Sequence, residues 1–287
     1  MSAKLQGLER IVVVGTGDFA DEVAQAVEAL AELELAARIA PGDALPDGAG
    51  LAVCLAEPEQ RVDVIQQAVD AGLPVVTLPL TELGDAARSV LREGRVAQVS
   101  DLRGMPALET LRTQTWRGVL GRPYGVFATH RVQSGGRGLF EEIGVPLLHF
   151  AYDLTAAPVT TAQTTRAAIS GDETNAWFVI AQTERGPLLT IEFGAILPPE
   201  AALPEQVLVE ATGSEGVLRG EPTRQSVVVS NRRGTRERAW WSSAAPGFLA
   251  AAMSAIQAPD PARELGFLDF IGAVYRSSEA GQPARVA

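Results

Sequence analysis

The chain has 287 residues, 46% hydrophobic and 21% charged, which is enough for a sizeable core and a length that predicts about two domains. A net charge of −11 argues against nucleic acid or anionic lipid as the main partner. One cysteine, Cys54, excludes an internal disulfide framework and fits a reducing cytoplasm, and with two histidines it makes too small a set for a zinc site of such ligands. No run reaches about 18 apolar residues, and "MSAKLQGLERIVVVG" holds no long apolar stretch before a cleavage site. Neither a membrane span nor a signal peptide is expected, and the expected location is cytoplasmic.

In chain order, "RIVVVGT" (10–16) is an apolar run ending in glycine, as a buried parallel strand requires. "DFADEVAQAVEALAEL" follows as a helix with Val23, Val27, Leu30 and Leu33 at helical spacing. "ELAARIA" (34–40) reads as a second strand, "PGDALPDGAG" as loop and "LAVCLAE" (51–57) as a third strand. The helix "PEQRVDVIQQAVDAG" closes on Gly72. "LPVVTLPL" is a fourth strand, "TELGDAARSVLREG" a helix, "RVAQVSDL" a strand and "MPALETLRTQTWRG" a helix. Strand and helix alternate, which predicts a parallel α/β sheet over residues 1–120.

After about Gly121 the pattern changes. "RPYGVFATHRVQ" alternates with period two, and "GPLLTIEFGAIL", "EQVLVEATGSEGVLRG" and "QSVVVSNRRGTRERAWW" continue strand-like with Gly or Asn turns. A helix interrupts them at 139–155, and "RELGFLDFIGAVYRSSEAG" is a last helix ending at Gly281. Residues 121–287 therefore predict an α+β domain with a largely antiparallel sheet.

"VVVGTGDFADEV" places Gly15 and Gly17 between a strand and a helix, with Ala20 in the third small position. The first glycine allows the tight turn, the second lets a pyrophosphate approach the backbone, and the third small residue lets helix pack on strand. Gly15, Thr16, Gly17, Asp18, Phe19 and Ala20 are the candidate cofactor-binding turn, and Glu57 and Pro58 at the end of the third strand join them. The place for a ribose-binding acid at the end of strand two holds Ala40 and Pro41, with Asp43 coming late. Arg38 could suit a 2′-phosphate, but inside the strand it reads as structural. Asp18, Glu57 and Glu59 would repel a pyrophosphate unless turned away.

His130 alternates with Val126, Ala128 and Val132 and reads as a hydrogen-bonded core histidine. His149 and Asp153 are at i, i+4 and share a helix face, as an acid–base pair or as a surface or interdomain hydrogen bond. Arg232, Arg233, Arg236 and Arg238 straddle a hairpin turn and read as a solvated tip. The adjacent Trp240 and Trp241 point to opposite faces of a strand, one of them toward core or a dimer contact.

The order of these pieces resembles the glucose–fructose oxidoreductase, inositol dehydrogenase and MocA (Gfo/Idh/MocA) family over nearly the whole chain. "IVVVGTGDFADEVAQAV" is similar to its nucleotide turn, "LAVCLAEPEQRVDVIQQAVDAGLPVV" to its T-P-N strand and following helix, and "WRGVLGRPYGVFATHRV" to its G-x-I-G crossover. "GLFEEIGVPLLHFAYDLTAAPV" is similar to the helix carrying G-x-H-x-x-D, "VLVEATGSEGVLRG" to the G-T-x-G hairpin, and "FIGAVYRSSEAGQPARV" to the terminal helix and tail. The resemblance implies a Rossmann domain plus a mixed-sheet domain whose open face makes a homodimer or higher homo-oligomer. It also implies NAD or NADP as cofactor and a sugar, polyol or related small carbonyl or hydroxyl compound as substrate.

The departures fall on the chemistry. Laying the family's E-K-P on "AGLPVVTLPL" puts Leu78 in the Glu slot and Pro79 in the Lys slot. Laying G-x-H-x-x-D on "GVPLLH" puts Pro146 in the His slot and His149 in the Asp slot. Proline exchanges no proton. Three readings remain open. One is a divergent oxidoreductase with His149 or Tyr152 as proton donor. Another is a catalytically inactive relative that binds a nucleotide or metabolite, or serves as a partner subunit. The third is a purely structural dimer.

Overall fold

The computed structural model describes residues 7–93, 95–134, 138–155, 157–169, 175–184, 186–232, 234–239 and 244–286. Trp240, Trp241 and Arg233 lie outside the described residues. The chain divides into two compact units, one of Met1–Gly104 with Ser243–Leu265 and the other of Met105–Ser242 with Gly266–Ala287.

In the first unit β1 (Arg10–Val14) leads into α1 (Asp18–Glu28) and β2 (Glu34–Ile39). β3 (Leu51–Cys54), α2 (Arg61–Asp70), β4 (Val75–Thr77), α3 (Asp85–Glu93) and β5 (Val96–Gln98) follow. The five strands form one parallel sheet in the order β2-β1-β3-β4-β5. β1, β3, β4 and β5 are short valine-rich strands buried almost throughout, as a sheet covered on both faces requires. α1 stops at Glu28, so Leu30 lies beyond it and is 38% exposed. Val23 and Val27 are fully buried, worth about 1.5–3 kcal/mol each against exposure. They pack with Ile11, Val13, Leu51, Val53, Val76 and Ala97. Gly72 ends α2 at φ +73, with its N–H donating to Val69 O.

The passage from β2 to β3 is loop, without a helix. The core on the α1 face is completed by a segment from far along the chain, α6 (Ala244–Ile256), which adds Phe248, Leu249, Ala252 and Ile256. This segment, "AAPGFLAAAMSAI", is not among the elements expected from the sequence.

The second unit holds α4 (Pro106–Trp116), β6 (Pro123–Val132), α5 (Val145–Asp153), β7 (Val159–Ala167), β8 (Ala176–Thr183) and β9 (Leu188–Ala195). β10 (Glu205–Gly213), β11 (Gly216–Glu221), β12 (Ser226–Asn231), β13 (Gly234–Ala239) and β14 (Ala284–Arg285) complete its sheet. α7 (Pro261–Ala280) supplies residues 266–280 to this unit. The nine strands run β13-β12-β11-β10-β6-β9-β8-β7-β14, antiparallel throughout except for the parallel pair β6 and β9. The expected α/β half and largely antiparallel half are both present.

His130 is a core histidine, 5% exposed, with Nε2 2.6 Å from Glu205 Oε1. That hydrogen bond holds the Glu205 carboxyl below its usual range. One turn before α5, Phe140–Gly144, is π-helical, with Val145 N–H donating to Phe140 O. Gly144 lies against the Phe193 ring, where a Cβ would collide.

Candidate functional site

Within the first unit the strand order reverses between β2-β1 and β3-β4-β5, which puts the topological switch point of a doubly wound sheet at the carboxyl ends of β1 and β3. The Gly15–Ala20 turn leaves β1 at this place. A Cβ on Gly15 would stand 2.8 Å from Leu55 O and 2.9 Å from Leu55 C, so only glycine lets the loops after β1 and β3 meet. Leu55 N–H donates to Val14 O at 2.7 Å, and Gly15 N–H to Ile39 O at 3.0 Å. Gly17 is the N-cap of α1 at φ 91 and ψ 174, with no side-chain cap on the helix, and a Cβ there would meet nothing within 4 Å. The helix start is thus left without a side-chain cap, behind a backbone that only glycine adopts.

Thr16, Gly17 and Asp18 are exposed at the tip of the turn. Ala20 is 1% exposed and seats α1 on the sheet. The Phe19 ring packs edge-on against Phe248 of α6, with centroids 5.3 Å apart, so its side chain serves the core and its backbone the turn. Glu57 caps the 3₁₀ turn Pro58–Gln60 and is exposed, with Pro58 half-buried beside it.

Two features here were not legible from spacing. Gly42 at φ +90 folds Pro41–Asp43 back on the end of β2, so Asp43 Oδ2 accepts from Ala40 N–H at 3.0 Å and Asp43 N–H donates to Ala40 O at 3.1 Å. The acid that comes late in sequence is returned to the end of the strand, and the Pro-Gly-Asp triplet is the signal that could have shown it. Arg38 forms an ion pair with Asp21 of α1, which fits its structural reading.

The second feature lies at the segment "TLPL". The Arg61 side chain, 8% exposed, donates through Nε to Ala56 O at 2.9 Å and through Nη1 to Pro79 O at 2.7 Å. Burial pulls its pKa down, and Cys54, Glu57, Asp101 and Glu59 oppose that shift. A buried guanidinium therefore sits against the Pro79 carbonyl. Leu80 N–H donates to Gln98 Oε1 at 2.7 Å, and Gln98 Nε2 donates to Glu264 Oε2 at 2.9 Å. Cys54 is fully buried, and its burial pushes the thiol up.

Within the second unit Pro146 occupies the first turn of α5, and His149 and Tyr152 lie on the same helix, each 6% exposed. His149 stacks edge-on against Phe267 at 4.7 Å, and Tyr152 packs against Phe267 and Phe270. The Asp153 carboxylate faces Arg112 Nη1 at 3.6 Å, and its backbone carbonyl accepts from Trp116 Nε1 at 3.1 Å. Among the described residues no group of three or more His, Cys, Asp or Glu could hold a metal ion.

No protein-family model matches the chain, and no curated protein matches it. Solved structures do. An oxidoreductase from Agrobacterium radiobacter in complex with NAD+, L-tartaric acid and magnesium has a TM-score of 0.80 at 14% identity, over 97% of this chain and 98% of that one. A myo-inositol dehydrogenase from Corynebacterium glutamicum has 0.76 at 17% identity, over 97% and 98%. GenD2 from gentamicin A biosynthesis, in complex with NAD, has 0.76 at 14%, over 97% and 96%. The chain thus has the two-part fold of Gfo/Idh/MocA-type oxidoreductases over 97% of its length. The resemblance read in the sequence holds for the fold.

Proposed function

We propose that the chain is an NAD-dependent oxidoreductase acting on a small hydroxyl or carbonyl compound of the sugar or polyol kind. The observation that carries this is the turn after β1. There an uncapped helix start, a glycine-only backbone at Gly17 and the close approach of Gly15 to Leu55 make a cradle for a pyrophosphate. The solved structures of the same fold that hold NAD support it. Backbone N–H groups of Gly15–Ala20 would hold the diphosphate, and Glu57 and Pro58 would flank it. Asp43, folded back on β2, would accept from the ribose hydroxyls. A bound nicotinamide supplies or takes up the hydride. His149, with Tyr152 beside it on α5, is the proposed proton carrier, since Pro79 and Pro146 can carry none.

Asp43 also sets the choice of cofactor. A carboxylate at this place repels a 2′-phosphate, and the nearby cation Arg38 is engaged by Asp21. Tryptophan fluorescence titration should give saturable NADH binding, with NADPH weaker by about tenfold or more. No response to either nucleotide at millimolar concentration sinks the reading. Once turnover is found, an unchanged rate in His149→Ala removes His149 from the proton step.

We further propose that the chain is a homodimer through the sheet of the second unit. The alternation that buries Val126, Ala128, Val179 and Ile191 puts Phe127, Phe178, Ile180 and Leu188 on the other face, each 37–47% exposed. An arginine at Ile180 should convert the dimer mass to the monomer mass in light scattering. A wild-type chain that is monomeric at micromolar concentration refutes this.

A further inference from the structure

We propose that the second unit carries a separate binding groove for a small organic anion, between α4 and the β12–β13 hairpin. The groove holds about 240 Å³, and its lining includes Thr110, Gln114, Val227, Val229, Arg236 and Arg238.

Register explains how it forms. Arg238 lies opposite Val227, and Arg236 opposite Val229, so all four side chains share one face of the hairpin. The next strand places Leu218 opposite Val229, and α4 packs over β11 and β12. The outermost strand, β13, is solvent-exposed along its length and presents arginine where the inner strands present leucine and valine. The aliphatic stems can lie along the valine floor while the guanidinium heads rise at the rim. Thr110 and Gln114, one turn apart on α4, form the opposite wall with a hydroxyl and an amide.

Charge then selects the ligand. No carboxylate lines the groove. Of the neighbouring acids, Glu109 is engaged by Arg112, Glu215 by Arg232, and Glu221 by Arg219 and Arg224, while Glu237, between the two arginines and opposite Val228, alternates to the other face of β13. Arg236 and Arg238 form no ion pair among the described residues. In a chain of net charge −11 this leaves two cations, about 7 Å apart along one strand face, with no ion-pair partner among the described residues. A phosphate or a carboxylate placed between them satisfies both guanidinium forks and relieves their mutual repulsion. The valine floor accommodates a short carbon skeleton, and a groove of about 240 Å³, below the usual size of a cofactor pocket, suits a small metabolite. The ligand class is therefore a phosphate ester or carboxylic acid of a few carbons.

The test is calorimetric titration of the full chain, without nucleotide, with inorganic phosphate and with succinate at low ionic strength. Saturable millimolar or tighter binding of either probe is expected, and whichever binds identifies the anionic group. The double substitution Arg236→Gln and Arg238→Gln should weaken it at least about tenfold. Arg232→Gln, on the same hairpin but engaged with Glu215, should leave it unchanged. Absence of saturable heat with both probes overturns the proposal. So does an equal loss in Arg232→Gln, which would mark a diffuse charge effect. Binding of a polyglutamate peptide in place of both small anions overturns it as well. Because no nucleotide is present, each outcome is independent of the proposed oxidoreductase activity.

Discussion

Arg61→Ala should lower the stability of the first unit by about 3 kcal/mol, a fall in its thermal midpoint of roughly 6–12 °C. The guanidinium bridges two main-chain carbonyls, Ala56 O after β3 and Pro79 O after β4, that come from loops 23 residues apart in sequence. Hydrogen bonds from a charged donor contribute about 1.5–3 kcal/mol each, and buried carbonyls left without a partner add their own penalty. Alanine removes both bonds and opens a void under the β4 loop. Lysine at the same position keeps the charge but offers one compact ammonium in place of a planar fork, so Arg61→Lys should recover only about half of the loss. Differential scanning calorimetry of the two variants measures both. A loss of under about 1 kcal/mol in Arg61→Ala would show that water replaces the guanidinium at these carbonyls. Pro79 makes the bridge specific. Without an N–H, its main chain can engage the network only through its carbonyl, and Arg61 is what that carbonyl finds.

What the sequence showed and what it hid divide along the range of the interactions. The parallel half was legible because each of its signals is local. A valine-rich run, a G-x-G turn and a helix ending in glycine each lie within about ten residues, and β1, α1 and the Gly72 cap follow. The missing helix between β2 and β3 was visible as a run of Pro, Gly and Asp. The features that give the site its character required the fold. Arg61 and Pro79 meet only because β3, α2 and β4 stack in that order. Asp43 returns to Ala40 only because Gly42 takes φ +90. α6 closes the α1 face from more than 200 residues away, and an apolar run carries no mark of its partner. The basic run reads as a solvated tip in sequence. Only the β12–β13 register puts Arg236 and Arg238 on one face over valines.

Gly17→Ala should weaken NADH binding by about a hundredfold, the equivalent of about 2.8 kcal/mol, while leaving the unit folded. The argument rests on what a single methyl does at φ 91 and ψ 174. That conformation is essentially restricted to glycine, and holding alanine in it costs about 1–3 kcal/mol. Nothing stands within 4 Å of the new Cβ, so no clash prevents the turn from relaxing. The strain is relieved by rotating the peptides around residue 17, and this turns the first N–H groups of α1 away from the place where the diphosphate would lie. Folding is spared because the buried face of α1, at Ala20, Val23 and Val27, is not involved. Gly15→Ala provides the contrast. Its Cβ is driven into the Leu55 backbone, which cannot move without breaking the Leu55 to Val14 hydrogen bond, so this variant should lose both stability and cofactor. Fluorescence titration with NADH, paired with thermal unfolding of each variant, separates the two effects. Wild-type NADH affinity in Gly17→Ala would mean that the pyrophosphate is not held at this turn. A thermal loss as large in Gly17→Ala as in Gly15→Ala would mean that the turn is a folding element first and a binding element second.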